Sequence, residues 1–271
     1  MVNLGLAYNK RYWDTLEGQR DIERKYTFNE IEEILTSKQL ISSEGYLDWV
    51  DESDSFVLKT TYPGLLIGTG YLHEAPDEND AIKLGFYFDY TSGMPMIPAS
   101  SVKGVLKSYF PSTCGEASEY EQDVQKINMA KTKLISEMLG NKLSTYQDIK
   151  ELRDSIFGKS SEEEGMRTQQ DIFFDATIYC HGNENKKEIL GKDYITPHKN
   201  PTKNPTPISM LKILPNVEIC FRFETKDSII QSEDGRLVKI TTTDKMNLFK
   251  ELLLFGGVGA KTNVGYGQFE A

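Results

Sequence analysis

The residues best suited to binding a ligand lie near the C-terminus, in a glycine-rich run from Gly256 to Gly267. This run holds five glycines in twelve residues and one cation, Lys261. Glycine tolerates a positive φ and lets other groups approach closely, so successive N–H groups of such a loop can point at one anion. The pattern favours phosphate binding. A helix C-cap followed by a bulged strand would use the same residues, and the sequence leaves both interpretations open.

A second candidate anion site lies at the start of a predicted helix. Ser100 or Ser101 is a natural N-cap, and Pro98 disfavours helical structure at the residue before it. Lys103 and Lys107 follow at i and i+4 on one face of the helix. Hydroxyl groups, N–H groups, the helix dipole and two ammonium groups together favour a bound anion. For the two lysines, an ordinary solvated helix face is the alternative.

Spacing excludes two nucleotide-binding motifs. The dinucleotide fingerprint fails because Thr262 stands where a third glycine should follow Gly257 and Gly259. A P-loop ending at Gly158 fails because Arg153 occupies the position of its first glycine. We therefore expect neither motif in this sequence.

Composition indicates a soluble globular protein of 271 residues, 38% of them hydrophobic, with a net charge of −10. No run of about 18 apolar residues and no basic leader is present, so we expect a cytoplasmic protein without a membrane span. The three cysteines are scattered, and Cys180, His181 and His198 lack a fourth ligand. We therefore predict neither a disulfide framework nor a metal site.

The charge is distributed unevenly along the chain. Residues 90–115 contain two lysines and no acid, and residues 252–269 contain Lys261 and no acid. Residues 192–217 contain four lysines against Asp193 alone. The net charge disfavours an indiscriminate nucleic-acid binder, but these three segments carry no repulsion toward a polyanion. We expect them to meet on one face.

The predicted elements alternate once insertions are set aside. Their order is strand (Phe56), helix (Ser101), strand (Ile172), strand (Val217), helix (Asp244) and strand (Val264). This βαββαβ order predicts an α+β, ferredoxin-like or RRM-like fold in a single domain over residues 1–271. We expect an acidic helical extension over about residues 9–55 and a helical insertion over about residues 116–170.

Two further local predictions concern strands. Val2–Tyr8 has the composition of a short strand. Ile208–Leu214 and Val217–Glu224 are predicted to form a hairpin that turns at Pro215-Asn216.

Two of these stretches resemble the hallmarks of the RAMP superfamily of CRISPR–Cas proteins, a Ser-Ser-x-Lys-Gly helix start and a C-terminal glycine-rich loop. Here they are Ser100-Ser101-Val102-Lys103-Gly104 and the run from Gly256 to Gly267. Further stretches resemble the sixth-subunit family of the type III-B (Cmr) effector complex. They are Asn3–Leu6, Phe174–Ala176, Thr196–His198 and Pro205–Ile208.

The resemblance implies a RAMP fold and an RNA-binding, non-catalytic role within a multi-subunit complex for antiviral defence. Such a chain would hold guide RNA near its 3′ end, contact other RAMP subunits and leave target cleavage to another subunit. Target RNA is a further candidate partner, and no cofactor is implied. The implied RNA-binding residues are Ser100, Ser101, Lys103, Lys107, Gly256, Gly257, Gly259, Lys261, Thr262, His198 and Lys199.

Two other functions stay open at this point. A metal-independent RAMP endoribonuclease that processes guide RNA would need a general acid or base, and His73 is the best placed of the three histidines. A hydrogen-bonded loop histidine is the alternative for His73. A small-molecule enzyme on the same scaffold also remains open, although no paired carboxylates, nucleophile motif or metal cluster favours it.

Overall fold

The chain combines helices and strands in a computed structural model, which describes residues 3–8, 28–40, 54–68, 86–112, 121–158, 171–179, 186–195 and 207–271. The helices are α1 (Leu4–Leu6), α2 (Phe28–Thr36), α3 (Ala99–Ser108), α4 (Glu121–Met138), α5 (Tyr146–Phe157) and α6 (Thr242–Gly256). The strands are β1 (Lys38–Leu40), β2 (Ser55–Thr60), β3 (Met96–Ile97), β4 (Ile172–Phe173), β5 (Ala176–Tyr179), β6 (Lys186–Glu188), β7 (Leu190–Ile195), β8 (Ile208–Ile213), β9 (Glu218–Glu224), β10 (Ser228–Gln231), β11 (Leu237–Ile240) and β12 (Phe269–Glu270). No helix within these ranges is long and apolar enough to cross a lipid bilayer.

The main sheet is antiparallel and has six strands. Its spatial order is β12, β2, β9, β5 and β3, and β4 pairs with β9 as well. In the register, Phe56 lies opposite Phe221 and Phe269 lies opposite Thr60. Elsewhere in the described residues, β1 pairs with β6, β7 with β8, and β10 with β11. The prediction of a mixed helix and strand protein is confirmed.

Phenylalanines build the core on one face of this sheet. Phe221 and Phe223 of β9 are two residues apart, so their side chains point to the same face. The ring of Phe56 on β2 lies 5.7 Å from Phe221 and 5.6 Å from Phe223. The ring centres of Phe249 on α6 and Phe223 are 5.1 Å apart, and those of Phe269 on β12 and Phe221 are 5.5 Å apart. This face therefore packs against α6.

The hairpin of α4 and α5 shares the same core. A capping box starts α5, in which the Asp148 N–H donates to the Thr145 hydroxyl at 3.1 Å. At the other end of α5, the Phe157 ring lies 5.3 Å from Phe110 and 5.6 Å from Phe173. The other α5 residues that are completely buried in the core are Ile149, Leu152 and Ile156. The insertion predicted over about residues 116–170 is thus helical where it is described, and it packs into the same core as the main sheet.

A buried ion pair connects α6 to the strand that follows α5. The Lys245 ammonium lies 2.8 Å and 3.0 Å from the two carboxylate oxygens of Asp171, and both side chains are almost fully buried. The Lys226 N–H also donates to Asp171, at 3.2 Å. Because removing one partner would leave a buried charge unpaired, this contact fixes how α6 is placed against the start of β4.

The prediction of a strand over Val2–Tyr8 is wrong, because Leu4–Leu6 form a helical turn. The Asn3 side chain accepts a hydrogen bond from the Leu6 N–H at 2.7 Å and acts as the N-cap. Leu4 and Tyr8 are both fully buried, as expected for residues at i and i+4 on one helical face. The cap and the core contacts outweigh the strand-like composition.

The predicted hairpin at Pro215-Asn216 is also wrong. Both strands exist, but β8 pairs with β7, and β9 pairs with β2, β4 and β5. The connection between them wraps around Thr60, whose hydroxyl donates to Leu214 O at 2.8 Å and accepts from Val217 N at 3.0 Å. This end of β2 therefore lies between the two segments and separates them.

Much of the predicted acidic extension lies outside the described residues. Within about residues 9–55, the structure describes residues 28–40 and 54–55, which include α2 and β1. The helix predicted near Asn29 is present as α2.

Candidate functional site

The glycine-rich run forms a loop, residues 257–268, between α6 and β12; we call it the glycine loop. It begins beside the last turn of α3, where Gly256 faces the ring of Tyr109. A Cβ atom at Gly256 would collide with the Tyr109 hydroxyl. Phe255, 60% exposed, packs edge-on against Tyr109 at 5.9 Å. A side chain at position 256 would therefore force Tyr109 to move, and glycine lets α6 lie this close to α3.

Several backbone N–H groups in the glycine loop are already hydrogen-bonded. Val258 N donates to Gly267 O at 3.0 Å, Ala260 N to Leu66 O at 2.8 Å, and Gly267 N to Gly64 O at 2.8 Å. Gly267 has a φ of +70°, and a Cβ there would run into the carbonyl oxygen of Val258. These three N–H groups cannot point at a shared anion. At position 267 the glycine instead allows the backbone to pack closely against Val258.

The exposed cation of the glycine loop is Lys261. It adopts a left-handed conformation with φ of +60° and precedes a 3-10 turn at Thr262–Val264. Gly259 near it is exposed and Thr262 is half-buried, while Gly257 is buried. Among the described residues, no carboxylate lies within ion-pair distance of Lys261. Its charge is thus open to an anion from solution.

The glycine loop is held by the turn that follows β2. Thr61 N donates to Gln268 O at 3.0 Å, and the carbonyl of Gly64 accepts from Gly267 N. Leu65 exchanges hydrogen bonds with Ile213 of β8, at 2.9 Å and 2.8 Å. Residues 61–68 therefore lie between the glycine loop and the β7–β8 hairpin, and they contain no acid.

Asp193 joins the β7–β8 hairpin to the glycine loop. Its carboxylate accepts hydrogen bonds from the Lys212 ammonium at 2.6 Å, the Tyr266 hydroxyl at 2.8 Å and the Tyr194 N–H at 2.8 Å. Burial alone would raise the pKa of Asp193, but these three donors outweigh it and hold the pKa below its usual value. Burial and Asp193 together raise the pKa of Tyr266 to about 12.

The start of α3 differs from the prediction. Pro98, not a serine, is the N-cap, and Ser100 and Ser101 lie in the first turn, the former exposed and the latter half-buried. Asp175, from the turn between β4 and β5, accepts a hydrogen bond from the Ala99 N–H at 2.7 Å. A carboxylate thus already occupies part of the position at which an anion was expected.

The lysines of α3 lie on a different flank from the glycine loop. The Lys103 ammonium is 5.7 Å from the centre of the Phe173 ring on β4, a cation–π distance. Lys107, four residues later, is half-buried on the same flank. Ser100 precedes Tyr109 by nine residues, or roughly 13 Å along the helix axis. The last turn of α6, which leads into the glycine loop, therefore meets the end of α3 and not its start.

Of the three acid-poor segments, the glycine loop and the described parts of residues 192–217 are in direct contact. Residues 90–115 meet the end of α6, immediately before the glycine loop, at Tyr109. His198, Lys199 and His73 lie outside the described residues. The sequence reasoning missed Asp193 and Tyr266 because their contact joins segments 73 residues apart.

A groove on the α4–α5 hairpin, with a volume of about 710 Å³, has a different character. Its lining includes the polar residues Asn128, Thr132 and Tyr146, but apolar carbon atoms make up most of its surface. Its charged residues, Lys133 and Glu137, lie within 3.8 Å of each other. Because these charges compensate, the groove does not favour a polyanion. Across the described residues, no group of three His, Cys, Asp or Glu is arranged to hold a metal ion.

Residues 57–270 match the family model of the RAMP superfamily. In solved structures, the chain is similar to the type III-B Cmr-beta complex bound to cognate target RNA, with 23% identity and a TM-score of 0.47; the match covers 80% of this chain and 57% of that chain. It is similar to Cmr6 from Pyrococcus furiosus, with 21% identity and a TM-score of 0.44, over 83% of this chain and 98% of that chain. It also matches a chain of the Csm-crRNA-target RNA ternary complex of a type III-A CRISPR-Cas system, with 13% identity and a TM-score of 0.31, over 63% of each chain. No curated protein matches the sequence.

Proposed function

Because the chain belongs to the RAMP superfamily, we propose that it is a non-catalytic, RNA-binding subunit of a type III-B CRISPR effector complex. In this role it holds guide RNA near its 3′ end and contacts other RAMP subunits. The family match over residues 57–270 is the observation that carries the proposal. Target RNA is a further partner in the same complex.

The strand order supports a ferredoxin-like, RRM-like core for this subunit. Numbered along the chain, β2, β5, β9 and β12 are the first to fourth strands, and they lie side by side in the order fourth, first, third, second. Helix α3 follows the first strand and α6 precedes the fourth. A βαββαβ path through one antiparallel sheet would give this order once the remaining strands and the α4–α5 hairpin are set aside.

The charges support backbone recognition of RNA. A guide-binding subunit must accept many sequences, and contacts to phosphates hold a strand without reading its bases. Lys261 on the glycine loop and Lys107 on α3 belong to acid-free segments in a chain of net charge −10. Acidic surface elsewhere repels RNA, so a bound strand is confined to these regions.

We assign the contacts with guide RNA to two neighbouring regions. One is the α3 flank, and the other is the glycine loop at the far end of the same helix. A strand that touches both spans roughly 13 Å or more, which corresponds to several nucleotides. The proposed contact residues in these two regions are Ser100, Ser101, Lys103, Lys107, Gly259, Lys261 and Thr262. His198 and Lys199 lie outside the described residues and stay predicted contacts, whereas Gly257 is buried and Gly256 packs on Tyr109.

Purification of the tagged full-length chain from its native host tests the assignment to a complex. We expect short RNAs derived from CRISPR repeats, together with several RAMP subunits, identified by RNA sequencing and mass spectrometry. Recovery of the chain alone, or with RNA unrelated to repeats, would contradict the proposal.

Salt dependence tests the two lysines. For single-stranded RNA, each lysine that neutralises a phosphate contributes about 0.7 to the steepness with which log affinity falls against log salt concentration. We expect Lys107→Gln and Lys261→Gln each to reduce the steepness by this amount, and the double variant to reduce it by about twice as much. Lys126→Gln is the matched control, because Lys126 is exposed on α4 and pairs with Asp123 of the same helix. An unchanged slope in the double variant would remove both lysines from the RNA contact.

Incubation of the full chain with repeat RNA, in the absence of metal ions, tests the lack of catalysis. We expect the RNA to remain intact. Cleavage that His73→Ala abolishes would replace the proposal with a guide-processing endoribonuclease.

A further inference from the structure

Tyr62 is an exposed aromatic residue beside the glycine loop. Its side chain is 85% exposed, although it lies on a turn whose backbone is firmly held. An exposed tyrosine gains little from burial, so its ring contributes little to folding. A rigidly presented aromatic ring can, however, bind a flat partner at low entropic cost.

Hydrogen bonds fix the turn on both sides of Tyr62. Before it, Thr61 donates from both its N–H (3.0 Å) and its hydroxyl (3.2 Å) to Gln268 O. After it, Gly64 N closes the turn onto Thr61 O at 2.8 Å, and Gly64 O accepts from Gly267 N. The backbone that carries the Tyr62 ring therefore keeps a constant position relative to the glycine loop.

The surroundings of Tyr62 favour a polyanion. Residues 61–68 and 252–269 contain no acid, and Lys261 is exposed on the neighbouring loop. Tyr62 lies close enough to Tyr266 to interact with it electrostatically. The nearby carboxylate, Asp193, is bound to Lys212 and Tyr266, which compensate its charge. An aromatic ring and an open ammonium group thus lie on two loops that are joined to each other.

We propose that Tyr62 is a stacking platform for one unpaired base of an RNA strand whose phosphate contacts Lys261. This inference rests on the proposed RNA-binding function. It specifies that the RNA is bound as a single strand with one base stacked on a tyrosine ring. Single-stranded nucleic acid is commonly held by aromatic rings next to a cationic track, because every base has a flat face. Stacking therefore suits a subunit that accepts guides of any sequence.

The stacking contact is tested with the full chain at low salt, using a single-stranded oligoadenylate that carries 2-aminopurine. Binding is followed by fluorescence anisotropy, and stacking is followed by quenching of the 2-aminopurine emission. We expect Tyr62→Ala to weaken binding by about 5-fold to 140-fold, the range found for loss of one stacked base. Its salt slope should equal that of the wild type, because no phosphate contact is removed.

Three comparisons separate stacking from other effects. Tyr62→Phe keeps the ring, so it should retain both the affinity and the quenching. Tyr90→Ala is the matched control, because Tyr90 is 97% exposed on a different turn and its loss should change neither. An abasic oligonucleotide should bind the wild type and Tyr62→Ala equally, because the stacking partner is missing. The thermal unfolding midpoint of Tyr62→Ala should equal that of the wild type.

The outcomes distinguish this inference from the proposed function. If Tyr62→Ala binds the oligonucleotide as tightly as the wild type, or with a reduced salt slope, the stacking platform is refuted and the RNA-binding role stands. If the wild type binds no RNA even at low salt and brings none with it from its host, the proposed function fails, and the stacking platform fails with it.

Discussion

Asp193 is the residue through which the β7–β8 hairpin is attached to the glycine loop. Its carboxylate receives hydrogen bonds from Lys212 on one side and from Tyr266 on the other. Tyr266 is thereby held within the loop, next to the turn that carries Tyr62. This carboxylate thus adds a side-chain link to the backbone hydrogen bonds that already join the glycine loop, residues 61–68 and the β7–β8 hairpin.

The lowered pKa of Asp193 predicts a pH dependence. Because its pKa is lower in the folded state than in the unfolded chain, its stabilisation is present above the unfolded value, near pH 4, and is lost as pH falls through the folded value. We expect Asp193→Asn to be less stable than the wild type at pH 7, by about 1–2 kcal/mol. This difference should shrink progressively below about pH 4.

Urea unfolding at a series of pH values measures this effect. Asp123→Asn, on the exposed face of α4, is the control and should stay within about 0.5 kcal/mol of the wild type at pH 7. A difference for Asp193→Asn that is constant from pH 7 to below pH 4 would show that the hydrogen bonds of the carboxylate are not the cause.

Among the elements, α6 shows how a helix start can serve two purposes. Thr241 and Asp244 form a capping box, in which the Asp244 N–H donates to the Thr241 hydroxyl at 3.2 Å and the Thr241 N–H donates to the Asp244 carboxylate at 3.0 Å. The same carboxylate accepts from the Lys142 ammonium at 2.7 Å. The cap of α6 is therefore also a contact with the α4–α5 hairpin. Asp244, predicted as the cap itself, is the third residue of the helix.

Removal of this cap should destabilise the chain. We expect Thr241→Ala to lower the free energy of unfolding by about 1 kcal/mol, because the Asp244 N–H loses its acceptor. Thr243→Ala is the control, since Thr243 is exposed in the first turn of α6, and it should lie within about 0.5 kcal/mol of the wild type. Equal values for both variants, measured by denaturant unfolding, would contradict a capping role for the Thr241 hydroxyl.

In the molecule as a whole, the α4–α5 hairpin and the main sheet share one buried core. The buried residues of α5 belong to the same hydrophobic cluster as those of β9 and α6. Phe157 connects them directly, because its ring touches Phe110 at the end of α3 and Phe173 on β4. The α4–α5 hairpin interrupts the predicted alternation of strands and helices. Its side chains are nevertheless part of the core that stabilises the main sheet.

Loss of the Phe157 ring should therefore destabilise the whole chain. We expect Phe157→Ala to cost about 3–5 kcal/mol and to lower the temperature of a single unfolding transition. Met129→Ala is the matched control, since Met129 is 72% exposed on the same hairpin and should change stability by less than about 0.5 kcal/mol. Two separate calorimetric transitions, with only one affected by Phe157→Ala, would show that the hairpin unfolds independently.

The amino-acid sequence by itself determined most of the helices and the family. Helical spacing predicted α2, α3, α4, α5 and α6, and the Ser-Ser-x-Lys-Gly and glycine-rich stretches identified the superfamily that the family match shows. Such features depend on residues within a few positions of each other, since helix periodicity, turns and motifs are encoded locally.

Only the tertiary structure decided which elements meet and what each polar group contacts. Asp175 caps α3 from 76 residues away, and Thr60 separates β8 from β9 by binding residues more than 150 positions along the chain. The end of α6 meets the end of α3 where Gly256 packs on Tyr109, a contact that no local pattern encodes. Pairing between distant strands and the satisfaction of buried polar groups depend on the whole packed core, so they cannot be deduced from short stretches of sequence.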